Sequence, residues 1–331
     1  MDEESAMVDG VGRTIDYLRI SVTDKCNLRC QYCMPKEGIK LMPHEALLTL
    51  EEITRVCHIL AEMGIKKIRI TGGEPLVRKN IGKLIADIHA IPQIEDVAIT
   101  TNGVLFAPMA EELHRAGLDR VNLSLDTRDG KNFAQITGKD ELAAAEQAME
   151  SALEQGMTLK INCVPCRQLN DADVVAVAQL AKERPVDVRF IELMPIGCGA
   201  SFDGIPSEEI LRRLEAVFGE AEAVAERRGN GPAEYYSFEG FQGKIGFISP
   251  LSHKFCDRCN RVRLTAEGRL KLCLHYDHGI DLRELLRDET MDNEHIRERI
   301  IRAVAQKPEA HHFEGLDDKD ADKRKMYQIG G

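Results

Sequence analysis

The 331-residue sequence has no run of roughly 20 apolar residues, the length a membrane-spanning helix needs. Its opening stretch, Met1 to Gly12, is acidic and lacks the basic start and apolar core of a secretory signal. These absences point to a cytoplasmic protein with no membrane partner. An excess of positive charge is missing too. With 44 Lys and Arg against 55 Asp and Glu, the net charge is −11 at neutral pH, which argues against a general affinity for nucleic acid or anionic lipid. Any anionic ligand must therefore meet a local basic pocket. No GxxxxGK[ST] phosphate loop occurs, so a nucleotide would have to be held mainly by side chains. There is no internal repeat and no low-complexity run.

What the sequence does have is cysteine. Ten are many for a cytosolic chain, where reducing thiol pools disfavour structural disulfides. Six of them fall in two groups of three, Cys26, Cys30 and Cys33, then Cys256, Cys259 and Cys273, which favours metal over disulfides. Of the others, Cys57 sits on the apolar face of a helical pattern and reads as core. Cys163 and Cys166 read as packing at a strand end, and Cys198 lies in a loop.

From about residue 15 to 195, strand patterns alternate with helical ones. Ile15 to Val22, Lys67 to Thr71, Asp96 to Thr100, Arg120 to Leu125, Thr158 to Val164 and Asp187 to Leu193 read as six strands. Thr49 to Met63, Ile81 to Ile91, Glu141 to Gln155 and Asp171 to Lys182 read as helices between them. Repeated βα units imply a parallel sheet with right-handed crossovers, either an open doubly wound sheet or a partial barrel. After Pro195 the rhythm breaks into a Gly-rich loop, a helix near Ser207 to Val217, strands near Tyr235 to Phe238 and Lys244 to Ile248, and a helix over Thr290 to Ala305. The expected division is an extension over 1–14, a large unit over 15–200 and a smaller one over 201–331.

Cys26-Asn-Leu-Arg-Cys30-Gln-Tyr-Cys33 follows the first strand, where parallel α/β folds place their chemistry. Three thiolates leave one corner of a four-iron cluster open to a substrate or cofactor. A structural zinc would need a fourth protein ligand, supplied by a distant His or Cys. With Tyr32 before the third cysteine, the motif resembles the CxxxCxxC signature of the radical S-adenosylmethionine (SAM) superfamily. The resemblance implies an α/β fold, a partial (βα)6 barrel of TIM type. It also implies a [4Fe-4S] cluster whose open iron binds SAM and whose reduction yields a 5′-deoxyadenosyl radical. Tyr32, Gly73 in Thr71-Gly-Gly-Glu-Pro75, Ser124 at the fourth strand end and Met194 after the sixth would, by similarity, surround the SAM.

For the second group, spacing alone leaves open a zinc site completed by His253, His275 or His278. Phe255-Cys-Asp-Arg-Cys-Asn-Arg-Val-Arg-Leu264, Cys273-Leu274, Arg69-Ile-Thr-Gly-Gly-Glu-Pro75, Phe190-Ile-Glu-Leu-Met194 and Ile329-Gly-Gly331 resemble the GTP 3′,8-cyclase family of molybdenum cofactor biosynthesis, from Arg13 onward. The resemblance implies a second [4Fe-4S] cluster binding the guanine end of GTP, within a smaller C-terminal α+β domain that closes the barrel mouth. It implies removal of hydrogen from the ribose C3′ and attack on guanine C8, and a terminal Gly330-Gly331 that enters the active site and is needed for catalysis.

A nucleoside triphosphate carries about four negative charges and calls for clustered cations. Arg261 and Arg263 alternate on an extended run and share a face, with Val262 between them and Arg269 nearby. Arg19, Arg69, Lys160 and Thr100, near strand ends, complete the set that the resemblance implies. Expected partners are a flavodoxin- or ferredoxin-like electron donor and a downstream cyclic pyranopterin monophosphate synthase, with the chain acting as monomer or homodimer. The alternatives are a peptide-modifying radical SAM enzyme with an auxiliary cluster, or a zinc-stabilised binding module.

Overall fold

A computed structural model describes residues 6–35, 37–226, 228–313 and 321–330. Six strands alternate with helices as the rhythm implies: β1 (Tyr17–Ser21), β2 (Lys67–Thr71), β3 (Asp96–Thr101), β4 (Arg120–Ser124), β5 (Thr158–Cys163) and β6 (Asp187–Ile191). Between and after them run α1 (Leu50–Glu62), α2 (Ile81–His89), α3 (Ala110–Arg115), α4 (Gly130–Thr137), α5 (Leu142–Glu154) and α6 (Val174–Glu183). The start of α1 is fixed by a reciprocal cap, in which Thr49 Oγ1 accepts from the Glu52 amide and the Glu52 carboxylate accepts from the Thr49 amide.

The C-terminal part adds α7 (Ser207–Phe218), β7 (Glu222–Val224), β8 (Glu234–Ser237), β9 (Ile245–Ile248), β10 (Arg261–Leu264), β11 (Arg269–Lys271), β12 (Gly279–Asp281), α8 (Leu282–Arg287), α9 (Asn293–Val304) and α10 (Met326–Ile329). Its strands continue both edges of the six-stranded sheet. β10 pairs in parallel with β1 and β9 in parallel with β6, giving the order β12-β11-β10-β1-β2-β3-β4-β5-β6-β9-β8-β7. The physical reason is edge satisfaction, because an open six-stranded sheet would leave the amides and carbonyls of β1 and β6 unpaired. The sheet is thus continuous across residue 200, and the second cysteine group reaches the barrel from the loop before β10 and the turn after β11.

Alternation along the strands sets the chemistry of the two faces. Leu18 and Ile20, Ile68 and Ile70, Val97 and Ile99, Val121 and Leu123, Leu159 and Ile161, and Val188 and Phe190 are buried in the apolar core. The opposite parity carries Arg19, Arg69, Thr100, Asn122, Lys160 and Arg189. Parallel strands covered on both faces usually read as continuous apolar runs, so a polar inner face marks a lined cavity. Among the described residues no helix is long and apolar enough to cross a membrane.

Candidate active site

All six grouped cysteines line one cavity of about 340 Å³. Cys26, Cys30 and Cys33 come from the loop after β1; Cys256, Cys259 and Cys273 come from the C-terminal part. Between them the wall carries Arg19, Arg69, Arg189, Arg261 and Arg263.

The first loop is held from below. The Arg29 and Gln31 amides donate to the Thr137 and Ile136 carbonyls at the end of α4. Burial pushes the Cys26 and Cys30 thiols up and Cys33 to about 12, with neighbouring thiols raising Cys30 and Cys33 further. Three sulfurs gathered this way, without imidazole or carboxylate in the motif, form the soft donor set used by iron–sulfur clusters. Among the described residues no three His, Cys, Asp or Glu side chains are arranged to hold a single metal ion.

Tyr32, Gly73, Ser124 and Met194 all line the cavity near this loop. The Tyr32 hydroxyl donates to Asp126 Oδ2 at 2.6 Å, and the Val164 amide donates to Asp126 Oδ1 at 2.9 Å. The need for glycine at 73 has a local cause: a Cβ there would lie 2.4 Å from the Lys25 carbonyl oxygen, and the Gly73 amide is already donated to Thr23. Its amide is thus committed to the cysteine loop instead of facing a ligand.

At the second triad, burial alone would raise the Cys259 thiol. Lys307, Arg261, the Arg261 backbone and Arg13 outweigh that and bring it below the ordinary thiol value. Lys307 donates to the carbonyls of Arg261 and Leu272, the latter next to Cys273. Arg13 donates to the carbonyls of Cys256 (2.6 Å), Glu309 (2.7 Å) and Pro308 (2.7 Å), so the N-terminal extension clamps the loop that carries the triad.

Arg189 donates to the neutral amide oxygens of Asn122 and Asn162. Burial and neighbouring guanidinium groups lower Arg19 well below its usual value, and burial with Arg261 lowers Arg263 to about 10. Arg69 Nε, Arg261 Nε and Thr100 Oγ1 are buried with no hydrogen-bond partner. Buried donors of this kind are costly unless a ligand supplies acceptors.

Gly330 touches this wall from behind Arg263 and Thr71. Its carbonyl accepts from Arg263 Nη1 at 2.7 Å, and its φ is +83°. A Cβ there would meet Thr71 Oγ1 at 2.6 Å. The approach of the tail is fixed by Asp322, which pairs with buried Lys271, and by Arg324, which pairs with Glu267 and Asp277. Gly331 lies outside the described residues.

Three expected contacts differ. Arg269 leaves the cavity: it lies on β11, one strand further from the barrel than Arg261 and Arg263 on β10, and its guanidinium meets Asp277. The Val262 side chain packs into the apolar core opposite Arg261 and Arg263, so only its backbone remains on offer. Lys160 faces inward, but its ammonium is taken by Tyr235 Oη (3.0 Å), the Arg228 carbonyl (2.9 Å) and Asp187 (3.5 Å). Arg189, Asp126, Lys307 and Arg13 were not singled out from the sequence. Arg189 had a usable signal, a charged residue on the inward parity of a buried strand.

Residues 20–181 match the Radical SAM superfamily, and residues 186–313 match Molybdenum Cofactor Synthesis C. A Clostridium perfringens protein named GTP 3′,8-cyclase is 48% identical over 328 residues, covering 98% of this chain and 100% of that one. Proteins of the same name from Syntrophomonas wolfei and Listeria welshimeri are 46% and 41% identical, over 98% of this chain and 100% and 98% of theirs. Streptococcus suis SuiB bound to S-adenosylmethionine superposes with a TM-score of 0.62 at 16% identity, over 89% of this chain and 69% of SuiB, a likeness of fold. The partial barrel and its cysteine loop are those of a radical SAM enzyme. Over almost its entire length, the chain belongs to the GTP 3′,8-cyclase family.

Proposed function

We propose that this enzyme converts GTP to (8S)-3′,8-cyclo-7,8-dihydroguanosine 5′-triphosphate in a SAM-dependent radical reaction, the first step of molybdenum cofactor biosynthesis. The observation that carries this reading is the placement of both cysteine triads on one cavity, with five arginines between them. In this reading Cys26, Cys30 and Cys33 hold a [4Fe-4S] cluster that, with SAM, supplies the 5′-deoxyadenosyl radical on one-electron reduction. Tyr32, braced by Asp126, stands with Gly73, Ser124 and Met194 around the SAM.

Cys256, Cys259 and Cys273 hold a second [4Fe-4S] cluster for the guanine end of GTP, and Lys307 and Arg13 fix their backbone. Arg19, Arg69, Arg189, Arg261, Arg263 and the Thr100 hydroxyl take the triphosphate, with Arg69 Nε, Arg261 Nε and Thr100 Oγ1 meeting its oxygens as buried donors that have no protein acceptor. Lys160 stands on the same inner face and joins them by exchanging Asp187 for phosphate. Gly330, with Gly331 beyond it, orients Arg263. The electron comes from a flavodoxin- or ferredoxin-like donor, and the product passes to cyclic pyranopterin monophosphate synthase.

The test is anaerobic incubation of reconstituted protein with SAM, reductant and GTP. Formation of 5′-deoxyadenosine should depend on GTP. Equal formation with and without GTP would contradict the assignment.

A further inference from the structure

Glu74 sits in the cavity wall beside the first cysteine loop and is 1% exposed. Its carboxylate is fully used. One oxygen accepts from Thr101 Oγ1 at 2.8 Å and the Leu76 amide at 3.0 Å, and the other accepts from the Asn102 amide at 2.8 Å. Glu74, from the loop after β2, thereby fixes the turn after β3.

That turn aims a side chain. Asn102 Oδ1 accepts from the Val104 amide at 3.1 Å, which sets the orientation of its amide group. The NH2 end then donates to Asn27 Oδ1 at 2.8 Å and to Cys26 Sγ at 3.8 Å. The Leu28 amide reaches the same sulfur at 3.4 Å. Two N–H donors converge on Cys26, one of them a side chain brought from another strand end.

We infer that Asn102, held in place by Glu74, is a positioning residue that sets the reduction potential of the cluster carried by Cys26. The inference rests on the cluster assignment above. An N–H donor to a ligating sulfur withdraws charge from it and stabilises the more negative, reduced state of the cluster, which raises its potential. Reduction precedes radical formation, so this donor governs how readily the reaction starts. A role in loop packing alone would alter stability or iron content and leave the potential where it was.

The test uses the full chain, reconstituted anaerobically, in wild-type, Asn102→Ala, Asn102→Asp and Glu74→Gln forms. Potentiometric titration is read through the component of the electron paramagnetic resonance signal that SAM perturbs, alongside iron and sulfide content. Asn102→Ala is expected to make the reduced state about tenfold harder to populate, about 59 mV for a one-electron couple. Asn102→Asp, which puts carboxylate oxygen near the sulfur, should move it further the same way, and Glu74→Gln should fall between Asn102→Ala and wild type. Unchanged potentials in variants that retain the cluster overturn the inference. Should Asn102→Ala not assemble its cluster, Asn102→Asp and Glu74→Gln decide by the same rule. A wild-type protein with no SAM-sensitive signal overturns the cluster assignment itself, and the inference with it.

Discussion

At the scale of single residues, the arginines of the inner face carry the substrate assignment. Arg189 and Arg263 are both lowered to about 10, chiefly by burial. The unfolded chain therefore binds more protons than the folded one between about pH 10 and the ordinary guanidinium range, so stability rises with pH across that window. At neutral pH both remain charged and the cost of burying them stands in full. A polyanion relieves it. Inorganic tripolyphosphate at about 100 times its Kd should therefore raise the thermal midpoint of the cluster-free protein, by the equivalent of about 2.7 kcal/mol, whereas methionine should not. Arg261→Ala should weaken GTP binding about tenfold or more, consistent with about 1.5–3 kcal/mol for a bond to a charged group, with SAM binding unchanged in calorimetry. Equal losses for both ligands would place Arg261 elsewhere. Much of this was legible: the inward parity of Arg19, Arg69, Arg261 and Arg263 follows from strand period two. Arg269 falls outside the cavity because it stands on β11, a strand beyond β10, and which strand pairs with which is not written in its local sequence.

At the scale of elements, the tail is anchored before it reaches Arg263. Asp322 and Arg324 tie the segment to β11 and its turn, and α10 then delivers Gly330 to Arg263 and Thr71. Gly330→Ala meets both a positive φ and a 2.6 Å contact, so it should abolish GTP-dependent turnover while leaving the iron content of the protein unchanged. Full turnover by this variant would refute a place for the tail in the active site. Arg13→Ala leaves three carbonyls without their donor, and iron bound by the second triad should fall while that of the first holds. The long βα units were readable because each helix exceeds two turns and each strand alternates cleanly. α3, α4, α8 and α10 span six, eight, six and four residues, too short for a helical period to emerge. The pairing of β9 and β10 to the barrel edges left no mark in the sequence, since register between distant strands is set by packing.

At the scale of the molecule, a chain of net −11 keeps five guanidinium groups inside one cavity. That inversion separates a specific polyanion site from a general affinity for nucleic acid. The same cavity joins two cysteine triads that lie some two hundred residues apart in sequence, and the continuous sheet brings them together. The central claim is that both triads hold clusters. It is tested most directly by anaerobic iron, sulfide and zinc analysis of wild type, Cys30→Ala and Cys256→Ala. About eight irons in the wild type, falling toward about four in each variant, is the predicted result. Four irons in the wild type and in Cys256→Ala alike, or stoichiometric zinc lost with Cys256, would contradict it.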